Sequence, residues 1–357
     1  MNFASDNVMG ASAPVLDAIV RANGGALPAY GADPITARVE ARLREIFEAP
    51  DLAVFPVATG TAANALALAA CVPPYGLCLC HAEAHVAEDE CGAPEFYMHG
   101  AKLAGLPGVG GKLAADDVAR WLAALPRHVK QMPPRALTLS QATEAGLVYG
   151  PDEIGALAAA ARKNGLAVHM DGARFANALV ALGCRPAEMT WKAGVDLLSF
   201  GGTKNGCLAA EAILVFRRDL AETLDYRRKR GGHVLSKGRL VAAQLEGYLE
   251  DDHWLANACH ANAMAKALSG GLGALPGVRL AWATEANEVF PILPRALDAH
   301  LRAAGAVYHP WQTTSLPPGE AVAEDEVLVR LVTAFATTEA EVEELLARAR
   351  EPHRVAA

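Results

Sequence analysis

Asp196-Leu-Leu-Ser-Phe-Gly-Gly-Thr-Lys-Asn-Gly-Cys207 sets a short apolar strand directly ahead of one lysine, Lys204, which stands among three glycines. A lysine delivered by the end of a buried strand is poorly placed to be a solvated surface charge. Upstream, Leu166-Ala-Val-His-Met-Asp-Gly-Ala-Arg174 repeats the pattern: an apolar run ends on an acid, Asp171, with Arg174 just beyond. The pair matches the two needs of pyridoxal phosphate. That cofactor requires an amine to form a Schiff base with its aldehyde, and a carboxylate that keeps its ring nitrogen protonated so that the ring acts as an electron sink.

The chain has 357 residues, 52% of them apolar, and a formal net charge of −8. That length is comfortable for two domains and allows a sizeable core. The longest cationic run, Arg227-Arg-Lys-Arg230, reads as a solvated helix end or loop, so no nucleic-acid partner is expected. The start, Met-Asn-Phe-Ala-Ser-Asp-Asn, lacks a charged segment followed by an apolar core, and no run approaches the ~18 apolar residues of a membrane span. The expectation is a soluble cytoplasmic protein with no membrane partner. Seven scattered cysteines, an odd number, argue against a disulfide framework. Cys78-Leu-Cys80-His81, with His85 and Cys91 nearby, lacks the Cys-x2-4-Cys loop of structural zinc sites, and no metal is expected there.

Helical and strand-like segments alternate from about residue 34 to about 217, the signature of an α/β fold in which helices cover both faces of a mostly parallel sheet. Helices are expected over 38–47, 59–70, 113–124 and 151–164, the last opening on Pro151 in its first turn. Strands are expected over 53–58, 77–80, 136–140, 166–170 and the run before Lys204, with 210–216 as the hairpin partner of that run. A long helical region, 240–268, then leads to a smaller α+β domain with strands 278–282, 288–291 and 326–333 and helices near 294–304 and 338–350. The expected division is 1–245, an N-terminal segment and cofactor-binding large domain, and 246–357, a bridging helix and small C-terminal domain.

Thr59-Gly-Thr-Ala-Ala-Asn64 lies between a strand and a helix, so Gly60 and Thr61 can turn backbone N–H groups toward an anion. Read alone, this is an ordinary N-cap; beside a Schiff-base lysine it becomes a phosphate seat. His85 follows strand 77–80, at the carboxyl ends where open sheets build ligand sites. A core histidine satisfied by hydrogen bonds is the competing reading, and it applies to His81 as well. Asp171 alone could cap a helix. At the end of an apolar strand, however, its carboxylate calls for a cationic partner such as the protonated ring nitrogen. Arg330 sits inside Val327-Leu-Val-Arg-Leu-Val332 and needs an anion; its planar fork suits a substrate carboxylate, with an internal salt bridge as the alternative.

Taken in order, Phe3-Ala-Ser-Asp-Asn7, Tyr30-Gly-Ala-Asp-Pro34, Thr59-Gly-Thr61, Glu83-Ala-His85, His169-Met-Asp-Gly-Ala-Arg174 and Ser199-Phe-Gly-Gly-Thr-Lys204 resemble the low-specificity L-threonine aldolases and phenylserine aldolases. These belong to the aspartate-aminotransferase-like, fold type I enzymes that use pyridoxal phosphate. The resemblance implies that Lys204 forms the Schiff base, Asp171 pairs with the ring nitrogen, and Gly60 and Thr61 bind phosphate. It further implies that His85 stacks on the pyridine ring. Ser5, Arg174 and Arg330 would hold the substrate carboxylate, with Arg174 also beside the cofactor. Tyr30 would reach a neighbouring subunit's site in a homotetramer of two dimers.

Two places depart from the pattern. Ser140-Gln-Ala-Thr-Glu144 stands where many relatives have an Asn-Thr pair, which leaves contacts from Gln141 or Thr143 open. The cationic phosphate contact falls to Arg230 or Lys237, with Lys237 preferred. The implied reaction is retro-aldol cleavage of an L-β-hydroxy-α-amino acid to glycine and an aldehyde. His85, with an unperturbed pKa of ~6.5, or an ordered water would serve as base. The competing readings are β-elimination, transamination or glycyl transfer on the same scaffold, and a catalytically silent cofactor-binding regulator.

Overall fold

The computed structural model describes residues 1–126 and 128–351. Its larger sheet is built from β1 Ala53–Val57, β2 Leu77–His81, β3 Lys102–Leu106, β4 Pro134–Ser140, β5 Ala167–Gly172, β6 Leu197–Gly201 and β7 Glu211–Val215. Their spatial order is β1-β7-β6-β5-β4-β2-β3. β7 runs antiparallel to both β1 and β6, and the remaining pairs are parallel. Because one reversed strand separates β1 from β6, β1 runs with the parallel set. The carboxyl ends of β1, β2, β4, β5 and β6 therefore share one edge of the sheet.

Alternate residues of each strand point to opposite faces, and both faces are covered. Val54, Leu198 and Leu214 pack into a core with Leu43, Val118, Ile154 and Tyr248. Their chain neighbours Phe55, Leu197 and Ile213 pack against Ala63, Leu66 and Ala67 of helix Gly60–Cys71 on the other side. This is why the strands read as nearly continuous apolar runs.

The second sheet is antiparallel: β8 Arg279–Leu280, β9 Glu288–Val289, β10 Pro291–Pro294, β11 His309–Pro310 and β12 Glu326–Val332, in the order β11-β12-β10-β8 with β9 also paired to β12. Leu268 of helix His253–Gly273, Leu297 and Leu301 of helix Arg295–Ala303 and Leu345 of helix Glu339–Arg350 cover it. Phe3 belongs to the same core. Its N–H donates to Val307 O at 2.8 Å and its carbonyl accepts from Val332 N at 2.8 Å. The start of the chain is thus tied to the small sheet, and the short turn Asp6–Val8 comes into contact with the turn Thr203–Asn205 that carries Lys204.

Three local expectations change. Region 240–268 is two helices, Arg239–Leu249 and His253–Gly273, because Asp251 (φ 50°) and Asp252 (φ 54°) adopt the left-handed conformation between them. Aspartate is one of the few residues with a Cβ that tolerates it, and the apolar spacing continues on both sides, so the break leaves no mark in the periodicity. Region 288–291 splits at Phe290: β9 pairs with the Leu331–Val332 end of β12 and β10 with its Glu326–Leu328 end. Helix Ala13–Ala22 was not anticipated, although Val15, Ala18 and Ala22 are buried at helical spacing. Among the described residues, no helix is long and apolar enough to cross a membrane.

Candidate active site

Lys204 is presented by a turn that is locked on all sides. A Cβ on Gly201 would lie 2.6 Å from Ala173 O, and Gly206, at φ 124°, would bring a Cβ to 2.7 Å from Asn257 Nδ2. Only glycine fits either place. Within the turn, Asn205 Nδ2 donates to Tyr248 Oη (2.9 Å) and Trp254 O (2.8 Å), while Asn257 Nδ2 donates to Asn205 O (2.8 Å). The Lys204 ammonium itself makes no hydrogen bond or ion pair among the described residues. Below it, Glu211 is buried and accepts from Gly202 N at 2.9 Å; burial pushes its carboxyl up to about 7, against the pull of Thr203, Gly202 and the Lys204 charge.

Asp171, at the end of the neighbouring strand β5, is 5% exposed and has no ion-pair partner among the described residues. Its Oδ1 accepts from Ala173 N at 3.0 Å and its Oδ2 from Asn64 Nδ2 at 2.8 Å. The same amide donates to Glu90 Oε1 at 2.7 Å, and Glu90 Oε1 meets His85 Nδ1 at 2.9 Å. A continuous line of hydrogen bonds therefore runs Asp171–Asn64–Glu90–His85. Burial raises the Glu90 carboxyl, and the hydrogen bond that His85 makes to Glu90 is the main cause that raises His85 above its ordinary value. Asn64 Oδ1 and Glu90 Oε2 are buried without hydrogen-bond partners. Among the described residues, His85, Glu90 and Asp171 are also the one group of donors spaced closely enough to hold a metal ion.

Beneath this line His169 ties three strands together, Nδ1 to Thr138 Oγ1 (2.8 Å) and Nε2 to Ser199 Oγ (2.9 Å), and burial holds its pKa down at about 4. It is neutral at physiological pH.

A second cluster gathers the expected carboxylate-binding residues. Arg174 is buried, its Nε 2.9 Å from Asp6 Oδ2, its Nη2 3.2 Å from Asp6 Oδ1 and 3.3 Å from Glu288 Oε1. Burial lifts Asp6, but the charges of Arg174 and Lys204 outweigh it and leave this carboxyl below its usual range. Arg330 reaches Ala4 O at 3.5 Å, its guanidinium lies 4.6 Å from the Trp311 ring, and its Nε is buried without a partner. Ser5 joins the group through the chain, its Oγ accepting from Asn7 N at 3.1 Å.

Gly60 and Thr61 open helix Gly60–Cys71, whose N-cap is Thr59, with Oγ1 accepting from Ala62 N at 3.1 Å. The space in front of Gly60 is open: a Cβ there would meet nothing within 4 Å. Tyr30 lies apart from Lys204, at the β1 edge. It is 55% exposed, donates its N–H to Ser236 O at 3.0 Å, and has Lys229 Nζ 4.7 Å from its ring. With Val57, Ala58, Arg228 and His233 it lines a cavity of about 130 Å³. Arg230 and Lys237 are exposed on the same segment. Gln141 and Thr143 are spent on the chain itself, Gln141 bridging to Tyr149 O and N (2.9 and 3.0 Å) and Thr143 to Gly110 O (2.8 Å). The Cys78 and Cys80 side chains face the apolar core around Val86 and Met98, where burial pushes the Cys80 thiol up to about 12.

Asn64, Glu90, Asp6 and Glu288 escaped the sequence reading. Asn64 was in plain view as the last residue of Thr59-Gly-Thr-Ala-Ala-Asn64. Its partners, however, lie 26 and 107 residues away, and no local pattern connects them.

The β-eliminating lyase family profile matches residues 2–293. The chain is 48% identical over 303 residues to a low-specificity L-threonine aldolase of Pseudomonas aeruginosa, covering 85% of this chain and 87% of that protein. Identity is again 48% over 288 residues to the low-specificity L-threonine aldolase of Pseudomonas sp. strain NCIMB 10558, covering 81% and 83%. In three dimensions it matches a Leishmania major threonine aldolase with a TM-score of 0.89 and 28% identity over 98% of both chains. Sphingomonas wittichii serine palmitoyltransferase, at TM-score 0.69 and 15% identity over 98% of this chain and 86% of that one, shares the fold alone. A mostly parallel sheet with a small antiparallel domain is the fold type I architecture, and the family profile and the two Pseudomonas relatives make the class a lyase. The chain belongs to the β-eliminating lyase family, in its branch of low-specificity L-threonine aldolases.

Proposed function

We propose that this lyase cleaves L-threonine and related L-β-hydroxy-α-amino acids between Cα and Cβ, releasing glycine and an aldehyde, with pyridoxal phosphate held at the carboxyl edge of the large sheet. The observation that carries the reading is the Lys204 amine, unpartnered among the described residues and just past strand β6, together with the buried Asp171 carboxylate that Asn64 holds at the end of the adjacent strand β5. The residues fit the cofactor. Among the described residues, Asp171 is a buried carboxyl group with hydrogen bonds but no cation, Gly60 leaves open space before a helix N-terminus, and the Lys204 amine has no partner. When bound, pyridoxal phosphate supplies the sink for the electrons of the Cα–Cβ bond.

The protein's own groups do the rest. Lys204 would anchor the cofactor, Asp171 would keep its ring nitrogen protonated, Gly60 and Thr61 would seat the phosphate with Lys237 as its cation, and Arg174 would lie alongside. His85 would stack on the ring and take the proton from the β-hydroxyl. A hydrogen bond from Nδ1–H to Glu90 leaves Nε2 with the free lone pair, so Glu90 sets both the tautomer and the strength of the base. Arg174, Arg330 and Ser5 hold the substrate carboxylate. Tyr30 serves the site of a neighbouring subunit in a homotetramer of two dimers, and the enzyme works in the cytoplasm.

Incubating purified holoenzyme with L-threonine and quantifying products tests the reading. Equal amounts of glycine and acetaldehyde are expected. Ammonia with a keto acid, and no glycine, would replace it with β-elimination.

A further inference from the structure

Glu288 of β9 is a buried carboxylate beside Arg174 and Arg330 to which the proposed reaction gives no task. Its side chain is fully buried and its Oε1 lies 3.3 Å from Arg174 Nη2. Neither oxygen accepts a hydrogen bond. The Arg174 contact is thus close enough for Coulomb attraction but too poorly aligned to satisfy the acceptor. Asp6 differs on every count: it takes two aligned contacts from Arg174 and a third from Asn287 Nδ2 at 3.1 Å. Of the two carboxylates that share Arg174, Glu288 is the one that loses least by becoming neutral.

The charged groups that act on Glu288 among the described residues come from four elements: Arg174 after β5, Arg330 on β12, Asp6 in the N-terminal turn and Glu144 in the loop after β4. Burial raises its carboxyl, the two guanidiniums lower it and the two acids raise it again, to about 7. With Glu288 ionised, the two guanidiniums already face as many buried carboxylates. A substrate carboxylate adds one more anion to this largely buried cluster, and that burden is relieved when the weakest acid present takes a proton.

We propose that Glu288 is the proton counterweight of the substrate-carboxylate site, taking up one proton from solvent as a carboxylate binds Arg174 and Arg330. The inference rests on the assignment of those two arginines to the substrate. Glu288 touches Arg174 and not the substrate, so it is a positioning residue. Its signature is a binding constant that weakens as pH rises through neutrality.

The test uses holoenzyme and glycolate, a small carboxylate without the amine that would exchange at Lys204. Calorimetry in two buffers of different ionisation enthalpy counts the protons taken up. The wild type should take up nearly one proton per glycolate at about pH 8 and lose about tenfold in affinity between about pH 6 and about pH 8. Glu288→Gln should take up none and bind with a flat pH dependence. Binding with the same slope and proton count in Glu288→Gln overturns the role of Glu288 alone. Glycolate that fails to bind the wild type at any pH overturns the arginine assignment together with the inference. Should the variant not fold, the wild type decides: binding at about pH 8 without proton uptake refutes the proposal.

Discussion

Two buried polar clusters flank Lys204, and they are built on opposite principles. Asp171–Asn64–Glu90–His85 is a line of hydrogen bonds within the large domain, with no arginine or lysine in it. Arg174–Asp6–Glu288–Arg330 is a knot of full charges drawn from the N-terminal turn, the large sheet and the small sheet. The His85–Glu90 pair at one end of the hydrogen-bonded line, with both proton affinities raised, can hold a proton. A charge knot with an arginine Nε still free can hold an anion in one orientation. Under the proposed function, the first cluster would serve proton chemistry and the second substrate orientation.

Three substitutions can break or sharpen that contrast. The largest effect is expected from Lys204→Ala, which should abolish both the visible absorbance of bound cofactor and glycine formation; retention of both would remove the centre that the two clusters are said to serve. Next is Arg330→Ala. Loss of a charge-assisted contact worth about 1.5–3 kcal/mol predicts a fall of about 10–100-fold in kcat/KM, carried mainly by KM. A fall in kcat at unchanged KM would move Arg330 out of substrate binding. The smallest shift is that of Glu90→Gln. Because the hydrogen bond to the Glu90 carboxylate raises the pKa of His85 in the wild type, a neutral partner there should move the acid limb of the pH–rate profile to lower pH while KM stays near its original value. An unmoved profile would mean that the dyad does not set the base.

Legibility followed the range of the interactions. The strand ends that carry Asp171 and Lys204 could be read from apolar runs punctuated by glycine, and the helix that begins at Gly60 from its threonine cap. The split of region 288–291 could not, since it depends on which end of β12 each half finds. Nor could the partnership of Asn64 with Glu90 from a loop and Asp171 from the end of β5. Arg330 was legible as a guanidinium in need of an anion, but not as one stacked on Trp311 with Glu288 nearby.

By itself the sequence determined the layered α/β architecture and the strand-end addresses of Lys204, Asp171 and His85. Side-chain period and backbone turns are local properties written residue by residue. Tertiary structure alone decided that Asp171 is held by an amide and not by a cation, that His85 leans on Glu90, and that Asp6 and Glu288 divide Arg174 unequally. Those outcomes depend on distance and exclusion of water, which exist only once remote segments are packed together.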